Sequence, residues 1–350
     1  MKKFTKIFSL VMVAALLLTC LAGCGTPNNT TPENNSNEGN VAPVEVITIR
    51  CATSTNPTSM PATAAIERFC KEVTEKSNGH LKVEFYPNGT LGGDADTNKS
   101  VMDGTLEMGL VSLSNISGYT KLLDCVQTPF MINNYKIMDT VYRSKELRTL
   151  MDAAGEAANL KILGIYEYGI RHIANVIRPI EKMEDLKGLK IRAVTSDMIV
   201  QCMSAIGANA TPLAYKEVYS ALQNKTIDGE EINFTSVWAE RHYEVIKYFT
   251  EIGLWPYPAL LIVNPTFWKG LSAEDQALIT ECAERALDYN MQTAAEYEKT
   301  AIDGMTKAGV QVTKIEDITP FQKATQSIAD GIKESDPRVK AFVDMVQGLN

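Results

Sequence analysis

Histidine is scarce in this chain, occurring only as His80, His172 and His242, and no HExxH pair is formed. A zinc-protease helix is therefore excluded. Neither a GxxxxGK[ST] phosphate loop nor a GxSxG nucleophile elbow is present, so the sequence carries no signature of phosphate-loop or serine-hydrolase chemistry. None of the seven cysteines stands at CxxC spacing, which removes the zinc-ribbon and thioredoxin-like readings. Basic charge is also short. Lys and Arg number 34 against 42 Asp and Glu, a net charge of -8, and a nucleic-acid binder needs the reverse. That balance does not exclude an anionic small molecule, because one buried Arg acts at contact distance while remote surface charge is screened. No catalytic residue, metal or cofactor is expected.

What is present suits a large globular protein. The chain has 350 residues with 45% apolar and 22% charged side chains, enough for about two domains, each with its own core. The first residues stand apart from this. Lys2, Lys3 and Lys6 precede an apolar run from Ile7 to Leu18, too short for a bilayer span and suited to the apolar region of a signal peptide. Leu21-Ala22-Gly23-Cys24 follows and looks like a bacterial lipobox. It predicts a signal peptide over residues 1–23, with Cys24 lipidated and exposed as the mature N-terminus. From Gly25 to about Pro43 the chain is Asn, Thr, Pro, Glu, Ser and Gly with almost nothing apolar. Such composition does not offset its ordering entropy, so residues 24–45 read as a tether. Five cysteines remain beyond it, Cys51, Cys70, Cys125, Cys202 and Cys282. Five is odd and the spacings are irregular, so free buried thiols are expected.

Val46 to Cys51, Leu81 to Phe85 and Met108 to Ser112 read as strands separated by helices that bury Ala62, Ile66, Phe69 and Val73 at helical spacing. A β-α-β-α-β order predicts a mostly parallel sheet with helices on its faces. Tyr135 to Ala154 reads as one helix and Leu160 to Tyr166 as a strand. Arg171 to Val176, Lys190 to Val194 and Thr226 to Glu231 are further strand candidates. Ser272-Ala273-Glu274-Asp275 is a capping box. It opens a helix of more than about 25 residues, long enough to brace two lobes.

Arg192 ends the strand Leu189-Lys190-Ile191-Arg192. In open α/β sheets ligands sit outside the carboxyl ends of strands, and a guanidinium there offers a fork that fits a carboxylate with two parallel hydrogen bonds. Arg171 begins the preceding strand candidate.

An ordered set of segments resembles one family, the DctP-like solute receptors of tripartite ATP-independent periplasmic (TRAP) transporters. It includes Tyr86-Pro87-Asn88-Gly89-Thr90-Leu91-Gly92, Gly169-Ile170-Arg171-His172-Ile173-Ala174-Asn175, Asp185-Leu186-Lys187-Gly188-Leu189-Lys190-Ile191-Arg192 and Ile227-Asp228-Gly229-Glu230-Glu231. The resemblance runs from about Ile47 to the last helices. It implies a two-lobed periplasmic-binding-protein-like α/β fold with a hinge and a long bridging C-terminal helix. Lobe I is expected over 46–168 plus about 258–297, and lobe II over 169–257 plus about 298–350. It implies an extracytoplasmic receptor that is not an enzyme, with a small organic carboxylate and the TRAP membrane subunits as partners; the lipobox adds a lipid anchor in the cell membrane, and the charge balance argues for no nucleic acid. Carried over residue by residue, it makes Arg192 the carboxylate ligand, with Arg171 and Asn175 as further cleft residues.

The chain departs from the family where Ile232-Asn233 replaces the usual Asn-Pro, so Asn233 is the candidate for the polar contact there. Leu254 stands near a frequent family histidine, which suggests a less polar far end of the ligand. Trp238, Trp255 and Tyr257 lie near these departures and would stack on a flat or ring-shaped ligand. A receptor for an ATP-driven importer, a sensory receptor and a surface-anchored enzyme are the alternatives the sequence leaves.

Overall fold

The computed structural model describes residues 46–349. The signal-peptide, Cys24 and tether readings lie outside these residues. Along the chain, β1 (Ile47–Thr53), α1 (Pro61–Lys76), β2 (Leu81–Tyr86), α2 (Asp94–Asp103) and β3 (Met108–Ser112) come first. They are followed by α3 (Tyr135–Tyr142), α4 (Lys145–Ala157) and β4 (Lys161–Ile170). A second group contains β5 (His172–Asn175), β6 (Lys190–Ala193), α5 (Asp197–Ala205), β7 (Asn209–Pro212), α6 (Val218–Gln223), β8 (Gly229–Ile232), α7 (Phe234–Ala239) and β9 (Tyr248–Glu251). The chain then returns through β10 (Pro256–Val263), α8 (Pro265–Gly270) and α9 (Ala273–Lys307). It ends with β11 (Gln311–Lys314), α10 (Thr319–Lys333) and α11 (Pro337–Gln347).

The strands form two sheets, ordered β2-β1-β3-β10-β4 and β11-β9-β5-β8-β6-β7. In the first sheet β1 pairs in parallel with β2 and β3, as the β-α-β-α-β order predicts, whereas β10 runs antiparallel to both β3 and β4. Both sheets are covered on both faces, and the side chains alternate between the two cores. Ala259, Leu261 and Val263 of β10 pack against α1 and α9, while Leu260 and Ile262 join the core on the opposite face. In the second sheet Ile173 packs with Met198, Cys202 and Phe321, and its neighbour Ala174 with Phe234, Phe249 and Met305. All five cysteines of the described residues are buried free thiols.

The expected single helix over 135–154 is two helices. Ser144 stops the first and accepts the Leu147 N–H to cap the second, a role serine favours over the helix interior because its side chain replaces a missing backbone acceptor. The helix opened by Ser272 runs for 35 residues. It packs on α1 and β4 at one end and on α7 and β11 at the other, so one rigid rod touches both lobes. Gly304 lies inside it. A Cβ there would sit 2.5 Å from the Trp238 ring, so a glycine is needed for the close approach of α7.

The chain crosses between the sheets twice in extended form, from β4 into β5 and from β9 into β10. The two crossings bond to each other, Arg171 N–H to Trp255 O and Leu254 N–H to Arg171 O, both at 2.8 Å. Gly169 takes φ +135° at the first crossing, beneath Asn233. This is the left-handed half of backbone space, where a Cβ is penalised.

Candidate functional site

The carboxyl ends of β1, β3, β6 and β7 converge on one cavity of 330 Å³ between the two sheets. That volume lies within the range of small-molecule sites. Ser54, Thr55, Asp94, Ser112, Tyr168 and Tyr257 line it from the first sheet. Arg192, Val194, Thr195, Tyr215, Ser236 and Glu240 line it from the second.

Arg192 is the last cationic side chain of β6 before the loop, and it reaches the cavity although it is 1% exposed. Its hydrogen bond within the described residues is from Nε to Leu213 O, at 3.0 Å. Its terminal nitrogens stand 4.0 Å or more from the nearest carboxylate, that of Glu231. Glu231 is instead held by Arg171, whose Nε donates to Oε2 at 2.6 Å and whose terminal nitrogens donate to Glu231 O and Asn233 Oδ1. The Val194 N–H donates to the other Glu231 oxygen at 2.8 Å. One carboxylate thus lies between two guanidiniums but satisfies only one of them. The buried trio carries a net positive charge, presented to the cavity by Arg192. In a low-dielectric setting such a charge is costly without a counterion. The neighbouring Glu230 does not neutralise it directly, because its carboxylate bonds His242 Nδ1 at 2.8 Å.

The other sequence candidates stand behind the cavity wall. Arg171 is fully buried, with its guanidinium 4.1 Å from the Tyr257 ring centroid. Burial works to lower its pKa, but the Glu231 carboxylate outweighs this and raises it above the ordinary arginine value. Asn233 donates to Tyr168 O and accepts from Arg171, locking the first crossing to the end of β8. Asn175 accepts from Ile177 N and Arg178 N at the far end of β5. Trp255 is buried in the core below β5 with its indole N–H unpartnered among the described residues. Trp238 stacks on Tyr243 and borders a separate hollow with Tyr289 and Tyr297. Of the three aromatics singled out, Tyr257 lines the cavity.

Sequence reasoning missed Glu231 as the partner that settles the two arginines, and Tyr215 and Glu240 as wall residues. Glu230-Glu231 offered a signal, since two adjacent acids on a short buried strand demand partners on both faces of the sheet. Tyr215 and Glu240 carried none, lying in loop and helix-end positions rich in polar residues.

Two α/β sheets joined by crossing strands and a long helix, closing on a polar cavity with one available guanidinium, define a two-lobed solute-binding protein. The family model for bacterial extracellular solute-binding proteins, family 7 (DctP), matches residues 52–336, and the chain belongs to that family. It is 31% identical over 290 residues to the 2,3-diketo-L-gulonate-binding periplasmic protein YiaO of Escherichia coli K12, covering 82% of this chain and 84% of that one. A TRAP periplasmic solute-binding protein of Chromohalobacter salexigens with bound D-glucuronate superposes with a TM-score of 0.81 at 29% identity, covering 86% of this chain and all of that one. One from a Bradyrhizobium species, in complex with D-galacturonate, gives 0.82 at 29% identity over the same shares. This chain is accordingly an extracytoplasmic TRAP-type solute receptor, a binding protein rather than an enzyme.

Proposed function

We propose that this receptor captures a hydroxylated monocarboxylate of the sugar-acid class in the cavity between its sheets and passes it to TRAP membrane subunits. The observation that carries the reading is Arg192, a buried guanidinium with one hydrogen bond among the described residues, facing a polar cavity at a strand carboxyl end. A ligand carboxylate supplies the counterion that Glu231, committed to Arg171, does not. Its two oxygens match the guanidinium fork, and removal of water as the lobes close strengthens the pair. Arg171 and Asn233 act indirectly in this reading, Arg171 by holding Glu231 and Asn233 by fixing the crossing. The sugar-acid class is supported by the hydroxyl-rich lining and by the acids named for the similar proteins.

The two sheets serve as the cores of the two lobes, with 46–168 and about 258–297 in one and 169–257 and about 298–350 in the other. The 167–171 and 252–257 crossings are the hinge. Cys24 carries a lipid anchor, a reading supported by the basic, apolar and Leu-Ala-Gly-Cys succession before it. Membrane release of a Cys24→Ser variant tests this.

The ligand test is a thermal-shift series on the purified protein with sugar acids, short keto acids and neutral sugars. A ligand at 100 times its Kd adds roughly 2.7 kcal/mol of stability. A shift confined to carboxylates and lost in Arg192→Ala supports the proposal. A shift from neutral sugars alone, or one that Arg192→Ala leaves intact, overturns it.

A further inference from the structure

The two walls of the cavity differ in how many of their polar groups are already used. On the first-sheet wall the groups bond to one another. The Asp94 carboxylate accepts from Ser54 Oγ, Ser112 N and Asn115 Nδ2. Thr55 shares hydrogen bonds with Thr63 and Tyr168, and Asp96 accepts the Gly93 N–H. These groups of the first-sheet wall satisfy one another. The second-sheet wall is different. Tyr215 buries its hydroxyl beside Ser236, with no well-formed hydrogen bond to a described residue. Among the described residues the Ser236 hydroxyl meets the Met60 sulfur, at the long distance of 4.0 Å. Glu240, half-buried one helical turn after Ser236, makes no side-chain hydrogen bond to a described residue.

Buried polar groups of native proteins are almost always paired, and a site whose donors and acceptors are unspent binds ligands that complete them. Glu240 is an acceptor only while ionised and both donor and acceptor when protonated. Burial raises its carboxyl above the ordinary range, with only His242 acting to lower it. Arg192 and Glu240 line the same cavity with no ion pair between them, Arg192 being nearest to the Glu231 carboxylate, so a ligand touching both must span the gap.

We infer that Glu240, with Tyr215 and Ser236, is the specificity-determining end of the site. It reads hydroxyl groups at the end of the ligand remote from Arg192 and rejects a second carboxylate there. A terminal hydroxyl satisfies Glu240 by donating to it. A terminal carboxylate has no proton to donate and sets like charge against like in a poorly solvated wall. The inference rests on the carboxylate reading of Arg192 and narrows it to monoacids bearing distal hydroxyls.

The test compares D-galactonate with galactarate, the six-carbon diacid that differs by carrying a carboxylate in place of the terminal hydroxymethyl group. Calorimetry is run on the wild type, Glu240→Gln and Arg192→Ala. The wild type is expected to bind galactonate at least tenfold more tightly than galactarate. Glu240→Gln, nearly isosteric and uncharged, should cut that ratio several-fold by gaining affinity for the diacid. Arg192→Ala should abolish both. If Glu240→Gln leaves the ratio unchanged while Arg192→Ala abolishes binding, the role of Glu240 is overturned and the carboxylate reading stands. If Arg192→Ala binds as the wild type does, the carboxylate reading itself falls. Binding of neither acid by the wild type overturns the assignment of ligand class.

Discussion

Arg171 and Glu231 form an ion pair with 1% and 0% of their side chains exposed, joined at 2.6 Å from Nε to Oε2. The pair sits where the first crossing meets β8, and neither side chain lines the cavity. On the proposed reading of Arg192, the pair consumes the negative charge that would otherwise neutralise that guanidinium. Breaking a buried pair from one side leaves an uncompensated charge and costs about 3–5 kcal/mol. Arg171→Met is therefore expected to lower unfolding stability in urea titrations, by less than that figure because Arg192, 4.0 Å from Glu231, takes over part of the compensation. It should also weaken carboxylate binding, because Glu231 is released toward Arg192. Unchanged ligand affinity in a folded Arg171→Met would show that Glu231 does not gate the charge of Arg192.

Arg192→Lys keeps the charge and loses the planar fork. A lysine ammonium is a point donor that cannot form two parallel bonds to one carboxylate. Affinity should drop by roughly tenfold or more, about 1.4 kcal/mol, with thermal stability in the absence of ligand little changed. Titration calorimetry decides this, and near-normal affinity would mean that charge alone suffices.

Glu167 gives the hinge a pH dependence. Its carboxylate is fully buried and accepts from Tyr142 Oη, Gly169 N and Tyr257 N, which ties both crossings together. Burial raises its pKa from 4.5 to about 7, partly offset by these bonds. The folded state therefore holds the proton more tightly than the unfolded state, and this group's contribution is fully present below about pH 4.5 and is lost as pH rises through about 7. Integrated, the loss is about 3 kcal/mol at most. Glu167→Gln keeps acceptors for the two N–H groups and can donate to Tyr142. It should flatten the decline in stability between pH 5 and 7, as read by denaturant titrations at each pH. A slope identical to the wild type would place the titrating group elsewhere.

Gly304→Ala reverses an ordinary rule. In a helix interior Ala is favoured over Gly by about 1 kcal/mol, but here the new methyl meets Trp238 ring atoms at 2.5, 2.6 and 2.8 Å. Overpacking of this kind costs about 1–3 kcal/mol. The single variant should be destabilised, and combining it with Trp238→Leu should recover part of the loss. Additive losses in the double-mutant cycle would contradict the contact.

Much of this protein is written locally. The β1–α1–β2–α2–β3 succession, the capping box before α9 and the buried faces follow from periodicity and turn chemistry, which act over a few residues. The succession of motifs around Asp185 to Arg192 was enough to point to the family, and strand-end position was enough to single out Arg192. The break at Ser144 was legible too, since a serine followed by Lys-Glu-Leu is a helix start, but the apolar spacing on either side concealed it.

What the sequence by itself determined, then, is which segments become strands and helices, that two domains' worth of core can form, and that Arg192 ends a strand. Only the tertiary structure decided which side chains share a wall. Trp255 and Trp238 were assigned to a ligand by their neighbourhood in sequence, yet the fold buries one in the core and turns the other toward α9. Glu231 became the partner of Arg171, while Glu240 lines the cavity with no side-chain hydrogen bond to another described residue. The physical reason is that charge pairing and desolvation depend on distances between residues 40 to 60 positions apart, such as Arg171 and Glu231, and these are set by how two sheets close around a hinge.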